Sequence, residues 1–317
     1  MTKLNQALKL LKNGGVVGIP TETVYGLAAS IESEQGIDKI FSTKERPFFD
    51  PLIVHVSSID QCRNYVTSWS RECDLLVDHF WPGPLTIILP KADSISSKIT
   101  SGLPTVALRM PKHEVTLELI KKLGHPVAAP SANKFKKTSP TSASHVQAEF
   151  PQLLVLDGGD CEIGIESTII GFEKDGQAVI YRPGMITAND IENCLGYKIK
   201  TKESPVAPGH LKHHYMPKKP IIAFLENITE EEIKRLCPED ISKLIHKWEL
   251  PKDPTQAARL LYATFRELDK LKCSSIGLSF TKEQLIDERF DGVFNRIFKA
   301  ASYLLPEDIA HKSKVLY

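Results

Sequence analysis

Hydroxyl and cationic side chains gather in short loops that follow apolar runs in the first 195 residues. The first of these loops, residues 20–27, reads Pro-Thr-Glu-Thr-Val-Tyr-Gly-Leu and follows a run that predicts a buried strand. We expect this loop to enter a helix. A helix N-terminus offers unpaired amides to an anion, and Thr21 and Thr23 add hydroxyl donors. The same pattern is equally typical of a threonine that only caps the first turn.

Two further loops combine donors with positive charge. Lys44 and Arg46 stand at the predicted end of a helix, where cations also complement the helix dipole. Residues 129–133 (Ala-Pro-Ser-Ala-Asn) leave a short apolar run, and Ser-Pro-Thr follows at 139–141. Between them, Lys-Phe-Lys-Lys at 134–137 fits either a nucleic-acid contact or, more commonly, a solvated surface loop.

Polar residues also enter two apolar runs late in this region. Glu166, Ser167 and Thr168 begin one run, and Arg182 ends the next. Buried polar groups need partners, so these residues either hydrogen-bond within the fold or face a ligand. Arg109 is similar, because strand alternation places it on one face of a sheet, where a cation usually meets an anion.

The common nucleotide and hydrolase motifs are absent from the sequence. It contains no G-x-x-x-x-G-K-[ST], G-x-G-x-x-G, H-E-x-x-H or G-x-S-x-G pattern. The residues alone therefore indicate an anionic small-molecule site at strand ends, where α/β folds place ligands, without naming the ligand.

Length and composition limit the class of protein. At 317 residues the chain exceeds the size at which one core usually stops growing, so we expect two domains. The net charge of +1 argues against a constitutive nucleic-acid coat. No signal peptide or apolar run of roughly 20 residues is present, so we expect no membrane contact. Six dispersed cysteines favour free thiols in a cytoplasmic protein.

Apolar periodicity predicts alternating strands and helices through residue 195, which is typical of an α/β fold. The predicted strands are 16–20, 52–56, 85–89, 105–110, 127–129, 153–156, 167–172 and 178–181. The predicted helices are 35–43, 70–80, 114–123, 142–150 and 188–195.

Residues 198–219 break this alternation with six lysines, one glutamate and three prolines, a composition typical of a solvated tether. A second, small α/β unit follows. Its predicted strands are 220–225 and 275–280, and its predicted helices are 229–236, 240–248, 253–271 and 293–304.

Nine short segments of the chain, taken together, resemble the YrdC-type threonylcarbamoyl-AMP synthases, in the long form that carries a C-terminal domain. They are residues 15–27, 44–47, 51–55, 81–86, 107–111, 130–133, 139–141, 164–168 and 182–184. The resemblance implies a YrdC-like twisted open mixed sheet with flanking helices over residues 1–197. It also implies a linker, 198–219, folded over the active site, and a small Rossmann-like α/β domain over 220–317.

The resemblance further implies a nucleotidyltransferase. Such an enzyme forms threonylcarbamoyl-AMP and pyrophosphate from L-threonine, bicarbonate and ATP, with Mg²⁺ accompanying the ATP and its protein ligands unknown. The product serves threonylcarbamoyladenosine formation at position 37 of tRNA, through a separate threonylcarbamoyl transferase complex. Direct contact with tRNA is a further expectation.

Site residues follow from matching positions in the family, which imply Lys44 and Arg46 as catalytic. The positions that fall near L-threonine are Thr23, His55, Arg109 and Ser167. Those on the ATP side are Lys44, Arg46, Asp50, Thr105, Ser131, Asn133, Ser139, Arg182 and, from the linker, His213 or His214.

Three residues depart from the family pattern. Asp50 replaces a common Asn and would repel ATP unless Mg²⁺ or Lys44 offsets its charge. Lys136 replaces a frequent Gly, and His210 replaces a common Met in the linker.

Two rival functions share these features. The same basic concavity could hold RNA without catalysis. A carbamoyl-transfer enzyme related to hydrogenase maturation shares the domain type, but the chain lacks its acylphosphatase-like segment and zinc-finger cysteines.

Overall fold

The computed structural model describes residues 2–173, 175–202, 214–306 and 309. Within them, a nine-stranded mixed sheet, ordered β1-β2-β6-β3-β5-β4-β7-β8-β9, forms the first unit. Its strands are β1 (Val17–Ile19), β2 (Gly26–Ser30), β3 (Ile53–His55), β4 (Leu85–Pro90), β5 (Thr105–Arg109), β6 (Val127–Ala128), β7 (Thr168–Phe172), β8 (Ala178–Arg182) and β9 (Lys200–Thr201). Strand β9 pairs with β8, so the first sheet extends into the segment predicted as a linker.

Helices flank this sheet, and most of them begin at a residue whose side chain caps the first turn. They are α1 (Lys3–Lys12), α2 (Glu34–Lys44), α3 (Ile59–Arg63), α4 (Arg71–Phe80), α5 (Ser97–Thr100), α6 (Glu114–Leu123), α7 (Ala143–Glu149) and α8 (Ala188–Leu195). The Ser70 side chain accepts from the Cys73 amide at the start of α4, which satisfies one of the first-turn donors. The five helices predicted in this unit are confirmed within two residues at each end.

Alternation along β5 separates the core from the ligand face. Val106 and Leu108 belong to the main hydrophobic core of the first unit, whereas Ala107 joins a smaller apolar cluster on the opposite face. Because successive side chains of a strand point to opposite faces, Thr105 and Arg109 share the face of Ala107. This face carries the candidate site at its Arg109 end.

The helix predicted after residues 20–27 is wrong. The segment leads instead into β2, which pairs antiparallel with β1 through Ile19 and Gly26. Every residue of β2 is buried, so the strand shows no polar alternation that would reveal it in the sequence. Residues 153–156, predicted as a strand, contribute only an isolated bridge between Val155 and Gly18.

A four-stranded parallel sheet, ordered β11-β12-β10-β13, forms the second unit. Its elements are β10 (Ile221–Leu225), α9 (Glu230–Leu236), α10 (Glu239–Ser242), β11 (Ile245–Glu249), α11 (Pro254–Leu268), β12 (Ser275–Phe280), α12 (Lys282–Ile286), a 3₁₀ turn (Glu288–Phe290), α13 (Asp291–Ala300) and β13 (Tyr303–Leu305). No helix in the described part of the chain combines the length and apolarity needed to cross a membrane.

Two helix predictions in this unit are wrong in part. Residues 240–248 were predicted as one helix because Ile241, Leu244, Ile245 and Trp248 recur at helical spacing, yet α10 ends at Ser242 and β11 follows. Parallel pairing with β12 overrides that local pattern. The closing helix ends at Ala300 and is followed by the edge strand β13 rather than running to residue 304.

The two units meet in a close interface centred on Glu166. Arg296, from α13, forms an ion pair with Glu166 at 3.0 Å between Nε and Oε2, and Tyr262, from α11, donates to the same oxygen at 3.0 Å. Within the first unit, Ser139 donates to Oε1 at 2.6 Å. Gly292 lies against Gly184 so closely that an added Cβ would stand 2.7 Å from its carbonyl carbon. The second unit is therefore packed directly on the strands that bear the site.

The charge on Glu166 depends on this interface. Burial alone would raise the pKa of Glu166, but the positive charges of Arg296 and Arg182 and the Ser139 hydrogen bond outweigh burial and lower it from 4.5 to about 2. A carboxylate whose pKa falls on folding adds stability above its unfolded pKa and loses that contribution as the pH falls toward the folded value. The ion pair should therefore weaken between pH 4.5 and about 2.

We expect Glu166→Gln to lower the free energy of unfolding near neutral pH, because Arg296 stays buried without its partner. As the pH falls, the difference from the wild type should shrink by up to about 3 kcal/mol. Urea unfolding of both proteins over a pH series measures this difference in the free energy of unfolding. The control is Glu118→Gln, which removes an exposed pair with Lys122 worth less than about 1 kcal/mol. A pH-independent difference for Glu166→Gln would contradict the low pKa.

Candidate active site

A hollow opens where the site-bearing strands of the first sheet meet the linker. Its polar lining comes from segments far apart in the sequence: Thr21, Arg46, His55, Arg109, Ser131, Glu166, Arg182, His214 and Tyr215. The structure thus brings six of the residues predicted for the site to the wall of one hollow: Arg46, His55, Arg109, Ser131, Arg182 and His214.

The loop between β1 and β2 is closed by its own threonines. The Thr21 hydroxyl donates to the Val24 carbonyl at 2.6 Å and accepts from the amides of Thr23 and Val24. It also lies 2.9 Å from the Thr23 hydroxyl, which is fully buried. These amides are consequently occupied, and the anion-binding helix N-terminus expected here does not exist.

Lys44 fixes the wall around Ser131. Its buried ammonium donates to the carbonyls of Ser131 and Asn133, at 2.5 Å each, so the end of α2 is tied to that loop. Burial lowers the pKa of Lys44 well below its usual value. Asn133 is buried too, and its amide donates to the carbonyls of Lys134 and Lys137. The geometry gives Lys44 and Asn133 a loop-shaping role beside the hollow.

Arg46 neutralises the carboxylate that the sequence placed near ATP. Its Nη2 lies 2.9 Å from Asp50 Oδ2 and donates to the Pro51 carbonyl at 2.8 Å, and its Nε donates to the Asp50 carbonyl. Asp50 itself is fully buried. The expected repulsion between Asp50 and an anion is thus offset by Arg46.

Arg109 is held by a glutamate that sequence reasoning did not single out as a site residue. Arg109 Nη2 lies 2.8 Å from Glu22 Oε2, both side chains are buried, and Arg109 Nε donates to the Gly83 carbonyl. His55 stands beside Arg109 on the neighbouring strand β3. Burial, then the charge of Arg109, lower the pKa of His55 to about 3. His55 is therefore neutral at physiological pH, and it can only offer a neutral ring nitrogen to a ligand.

Arg182 and Ser167 form the opposite wall. Arg182 donates to the carbonyl and to the hydroxyl of Ser167, both at 3.1 Å, and the Ser167 hydroxyl lies 2.7 Å from that of Thr86. Glu166 and Ser139 adjoin them through the hydrogen bond described above. The arginine is consequently oriented by the strand next to its own.

The end of the linker covers part of the hollow. His214 donates its amide to the Lys299 carbonyl in the second unit, and the Tyr215 carbonyl accepts from Thr138. Tyr215 adopts a left-handed backbone with φ of 65° and lies beneath the Arg296 guanidinium. Within the described residues its buried hydroxyl has no hydrogen-bond partner, so it can serve a ligand. His213 and His210 lie outside the described residues.

Thr105 is not part of this hollow. It begins β5 and lines a separate cleft with Trp69, Phe172 and Tyr181. Four residues of strand, about 13 Å, separate it from Arg109 on the same face.

The basic loop, residues 134–137, does not line the hollow. Lys134 pairs with Glu45 at 2.6 Å, and the Lys136 ammonium lies 5.7 Å from the Phe135 ring centre. Lys136 has a φ of 64°, the left-handed conformation that glycine adopts most readily. The lysine therefore keeps a glycine-like backbone at this position.

The arrangement is suited to an anionic ligand. Three cationic side chains, Arg46, Arg109 and Arg182, line one hollow with hydroxyls beside them. Among the described residues, no group of three His, Cys, Asp or Glu side chains could hold a metal ion.

Comparisons with known proteins agree along most of the chain. Residues 9–184 match the Sua5, YciO and YrdC family described as "Telomere recombination", and residues 186–302 match the family described as "Threonylcarbamoyl-AMP synthase, C-terminal domain". A Pyrococcus abyssi protein named threonylcarbamoyl-AMP synthase is 34% identical, with 95% of this chain and 94% of that protein aligned. A Bacillus subtilis protein of the same name is 41% identical over 75% of this chain and 70% of its own length.

A solved structure shares both units. The crystal structure of P. abyssi Sua5 complexed with L-threonine superimposes with a TM-score of 0.83 at 33% identity and covers 96% of each chain. The predicted fold, a YrdC-like mixed sheet followed by a small Rossmann-like domain, is confirmed. The chain therefore belongs to the Sua5 and YrdC family of threonylcarbamoyl-AMP synthases, in its long, two-domain form.

Proposed function

We propose that this chain is an L-threonylcarbamoyladenylate synthase, a nucleotidyltransferase that forms threonylcarbamoyl-AMP and pyrophosphate from L-threonine, bicarbonate and ATP. The observation that carries the proposal is the convergence of Arg46, Arg109 and Arg182 on one hollow. The names of the P. abyssi and B. subtilis relatives, and the L-threonine in the P. abyssi structure, support it.

Arg109 is assigned to the threonine carboxylate. Its guanidinium is fixed by Glu22, and the neutral ring of His55 lies beside it, so a small amino acid would meet charge and a polar ring together. Thr23 and Ser167 are assigned to the same side of the hollow. Both are buried and hydrogen-bonded within the wall, which suits them to orienting the pocket.

Arg46 and Arg182 are assigned to the triphosphate, with Ser131 and Ser139 beside them. L-threonine and bicarbonate combine with loss of water to give an N-carboxylated threonine. An oxygen of its new carboxylate attacks the α-phosphorus, the bond to the β-phosphate oxygen breaks, and pyrophosphate leaves. Such a transfer asks the protein for positioning and charge neutralisation rather than a nucleophile. Lys44 assists by holding the Ser131 loop, and Asp50 by fixing Arg46.

Thr105 would contact ATP if the nucleotide binds in an extended conformation that reaches from the hollow to the cleft beside Thr105. It lies on the same face as Arg109, about 13 Å along β5, and the cleft it lines is aromatic. A nucleotide whose phosphates meet Arg46 and Arg182 would then direct its base toward Trp69 and Tyr181.

Mg²⁺ enters this proposal with ATP as part of the substrate. The buried carboxylates Asp50 and Glu166 already pair with Arg46 and Arg296. Magnesium commonly keeps several waters and binds through substrate phosphates, which is consistent with such a wall.

We also propose which enzyme receives the product, a surface for tRNA and a location in the cell. The product would pass to a separate threonylcarbamoyl transferase complex that modifies adenosine 37 of tRNA, and the Lys134–Lys137 stretch is a candidate for tRNA contact. A cytoplasmic location is favoured by the state of the cysteines, since all six are free thiols.

Pyrophosphate release tests the function directly. We expect the purified chain to release pyrophosphate from MgATP only when both L-threonine and bicarbonate are present, because the carboxylated amino acid is the nucleophile. A coupled phosphate assay measures it. L-serine is the matched control for the side chain. Release without threonine would contradict the assignment, and tight RNA binding with no release would favour the RNA-binding module.

The substitution Arg46→Ala tests the proposed contact with the triphosphate most directly. We expect Arg46→Ala to lower the rate of pyrophosphate release about 100-fold or more, because one positioned charge at a phosphoryl group commonly contributes that much. The matched control is Arg63→Ala, whose half-exposed pair with Asp74 lies outside the hollow. A folded Arg46→Ala protein with near-normal turnover would remove Arg46 from the site.

A further inference from the structure

We propose that a turn with two exposed phenylalanines, residues 47–50, docks a partner protein at the mouth of the hollow. The partner is the enzyme that takes the threonylcarbamoyl group from the adenylate, and the surface that fits the turn is an apolar socket with an acidic rim. This inference rests on the proposed function. It adds an interaction surface to that function and a route for the product.

Phe48 and Phe49 present their rings to solvent at the tip of this turn. Phe48 is 59% exposed and Phe49 61%, more than any other aromatic side chain that the structure describes. They occupy the two central positions of a β-turn, in which the Asp50 amide donates to the Pro47 carbonyl at 3.3 Å. Such positions usually hold Gly, Pro, Asn, Asp or Ser. The turn itself does not need the two rings, so they indicate a surface that covers them.

The turn is braced against the wall of the hollow. Arg46 pairs with Asp50 at 2.9 Å and donates to the carbonyls of Asp50 and Pro51. The Phe48 ring also lies against the Phe41 ring of α2, with 4.5 Å between the ring centres. An anchor that is fixed before binding loses little conformational entropy when a partner docks.

The turn stands at the mouth of the hollow. Arg46 and Pro51, which flank the turn, both line the hollow. The basic loop, residues 134–137, lies next to them, because the Phe135 amide donates to the Lys44 carbonyl at 2.8 Å. A protein seated on the turn would therefore lie beside the opening through which the product leaves.

The charge around the turn favours an acidic protein as its occupant. Lys136 and Lys137 form no ion pair within the described part of the chain, whereas Lys134 pairs with Glu45. Two uncompensated lysines are enough to steer an acidic rim toward the turn. A nucleic-acid backbone commonly engages roughly 6–10 positive charges, and the chain has a net charge of only +1. The turn is therefore assigned to a protein rather than to RNA.

The size of the aromatic surface favours a transient contact over a second copy of this chain. Two phenylalanine rings at this exposure offer roughly 200–300 Å². Each partner in a stable interface buries about 800 Å². A contact centred on two rings consequently suits an encounter that forms and breaks in each reaction cycle.

The chemistry of the product gives this encounter a purpose. In threonylcarbamoyl-AMP the carbamoyl carbon is bonded to a phosphate oxygen, and water cleaves that bond to give AMP and the N-carboxylated threonine. The reaction that consumes the product transfers its carbamoyl group to an amine and releases AMP. An enzyme that receives the adenylate at the mouth of the hollow limits its exposure to water.

Two measurements on the full-length chain test the inference, with the threonylcarbamoyl transferase complex of the same organism as the probe. Biolayer interferometry without tRNA gives the Kd between this chain and the complex. A reconstituted reaction with tRNA gives the modified adenosine formed per pyrophosphate released. The variants are Phe49→Ser, Phe48→Ser, the double variant and the conservative Phe49→Tyr. Ile286→Ser is the matched control, because Ile286 is 79% exposed in the second unit.

We expect the double variant to raise the Kd at least about tenfold and to lower modification per pyrophosphate about fivefold, because aromatic anchors commonly carry most of the binding energy. Phe49→Tyr should keep the wild-type Kd within about twofold, since it keeps the ring. Pyrophosphate release by the chain alone should not change, because neither ring lines the hollow. A wild type without measurable binding, an unchanged Kd in the double variant, or an equal loss in Ile286→Ser would overturn the inference.

Other occupants of the turn give different results, and each of them overturns the inference. Rings that bind the nucleotide would make the variants raise the Kd for a non-hydrolysable MgATP analogue. Rings that bind RNA would make the variants weaken the binding of tRNA to the chain alone. Rings that join two copies would appear in sedimentation as a dimer that the variants dissociate. Phe49→Ser keeps the contact between Phe48 and Phe41, so it remains a test if the double variant does not fold.

Failure of the proposed function would look different. It would appear in the wild type as pyrophosphate release that does not depend on L-threonine and bicarbonate. The Kd between the two proteins tests the docking turn separately, because their binding requires no turnover.

Discussion

Burial of charge is the constraint on which the rest of the structure depends. Glu22, Asp50 and Glu166 are buried around one hollow, and each lies within 3.0 Å of an arginine nitrogen. An isolated ion in such a place would be strongly destabilising, whereas a close partner offsets much of that loss. Lys44 and Arg182, which also border the hollow, donate to neutral oxygens of the protein. The wall thus brings Arg46, Arg109 and Arg182 together around one hollow, and that arrangement suits a polyphosphate beside an amino acid.

The same constraint joins the two domains. The pair that compensates Glu166 crosses the interface, and the hydrophobic core of the second unit includes Val24 and Ile165 of the first. A domain attached only by a flexible tether would share neither a core nor an ion pair. The linker residues His214 and Tyr215 lie between the units and in the hollow at once. Binding, interface and linker are therefore parts of one electrostatic arrangement.

Local sequence predicted much of this arrangement, but not the contacts made across long separations. The strands ending in His55, Arg109 and Arg182 were found because apolar runs ending in a polar residue are visible in a short window. Arg296 gave no local signal, since its partner lies 130 residues away. Strand β11 was missed because an edge strand with helical apolar spacing is decided by its neighbour, β12.

The role of an individual residue was harder to predict from the sequence than its position near the site. Lys44 was predicted at a phosphate and stays a candidate, while its ammonium holds two backbone carbonyls beside the site. The sequence left open whether the threonines of the first loop bind an anion or close a turn, and they close their own turn. In both cases the residue type was informative about polarity, and only the surrounding backbone decided the partner. Glu22 shows the converse, because a buried acid next to these threonines is intelligible only once Arg109 is seen beside it.

A crystal structure with a non-hydrolysable MgATP analogue and L-threonine tests the central claim most directly. The account predicts the phosphates against Arg46 and Arg182, the threonine carboxylate on Arg109, and Glu166 still paired with Arg296. Phosphates bound elsewhere on the first domain, with these arginines still turned to their own carboxylates and carbonyls, would contradict it.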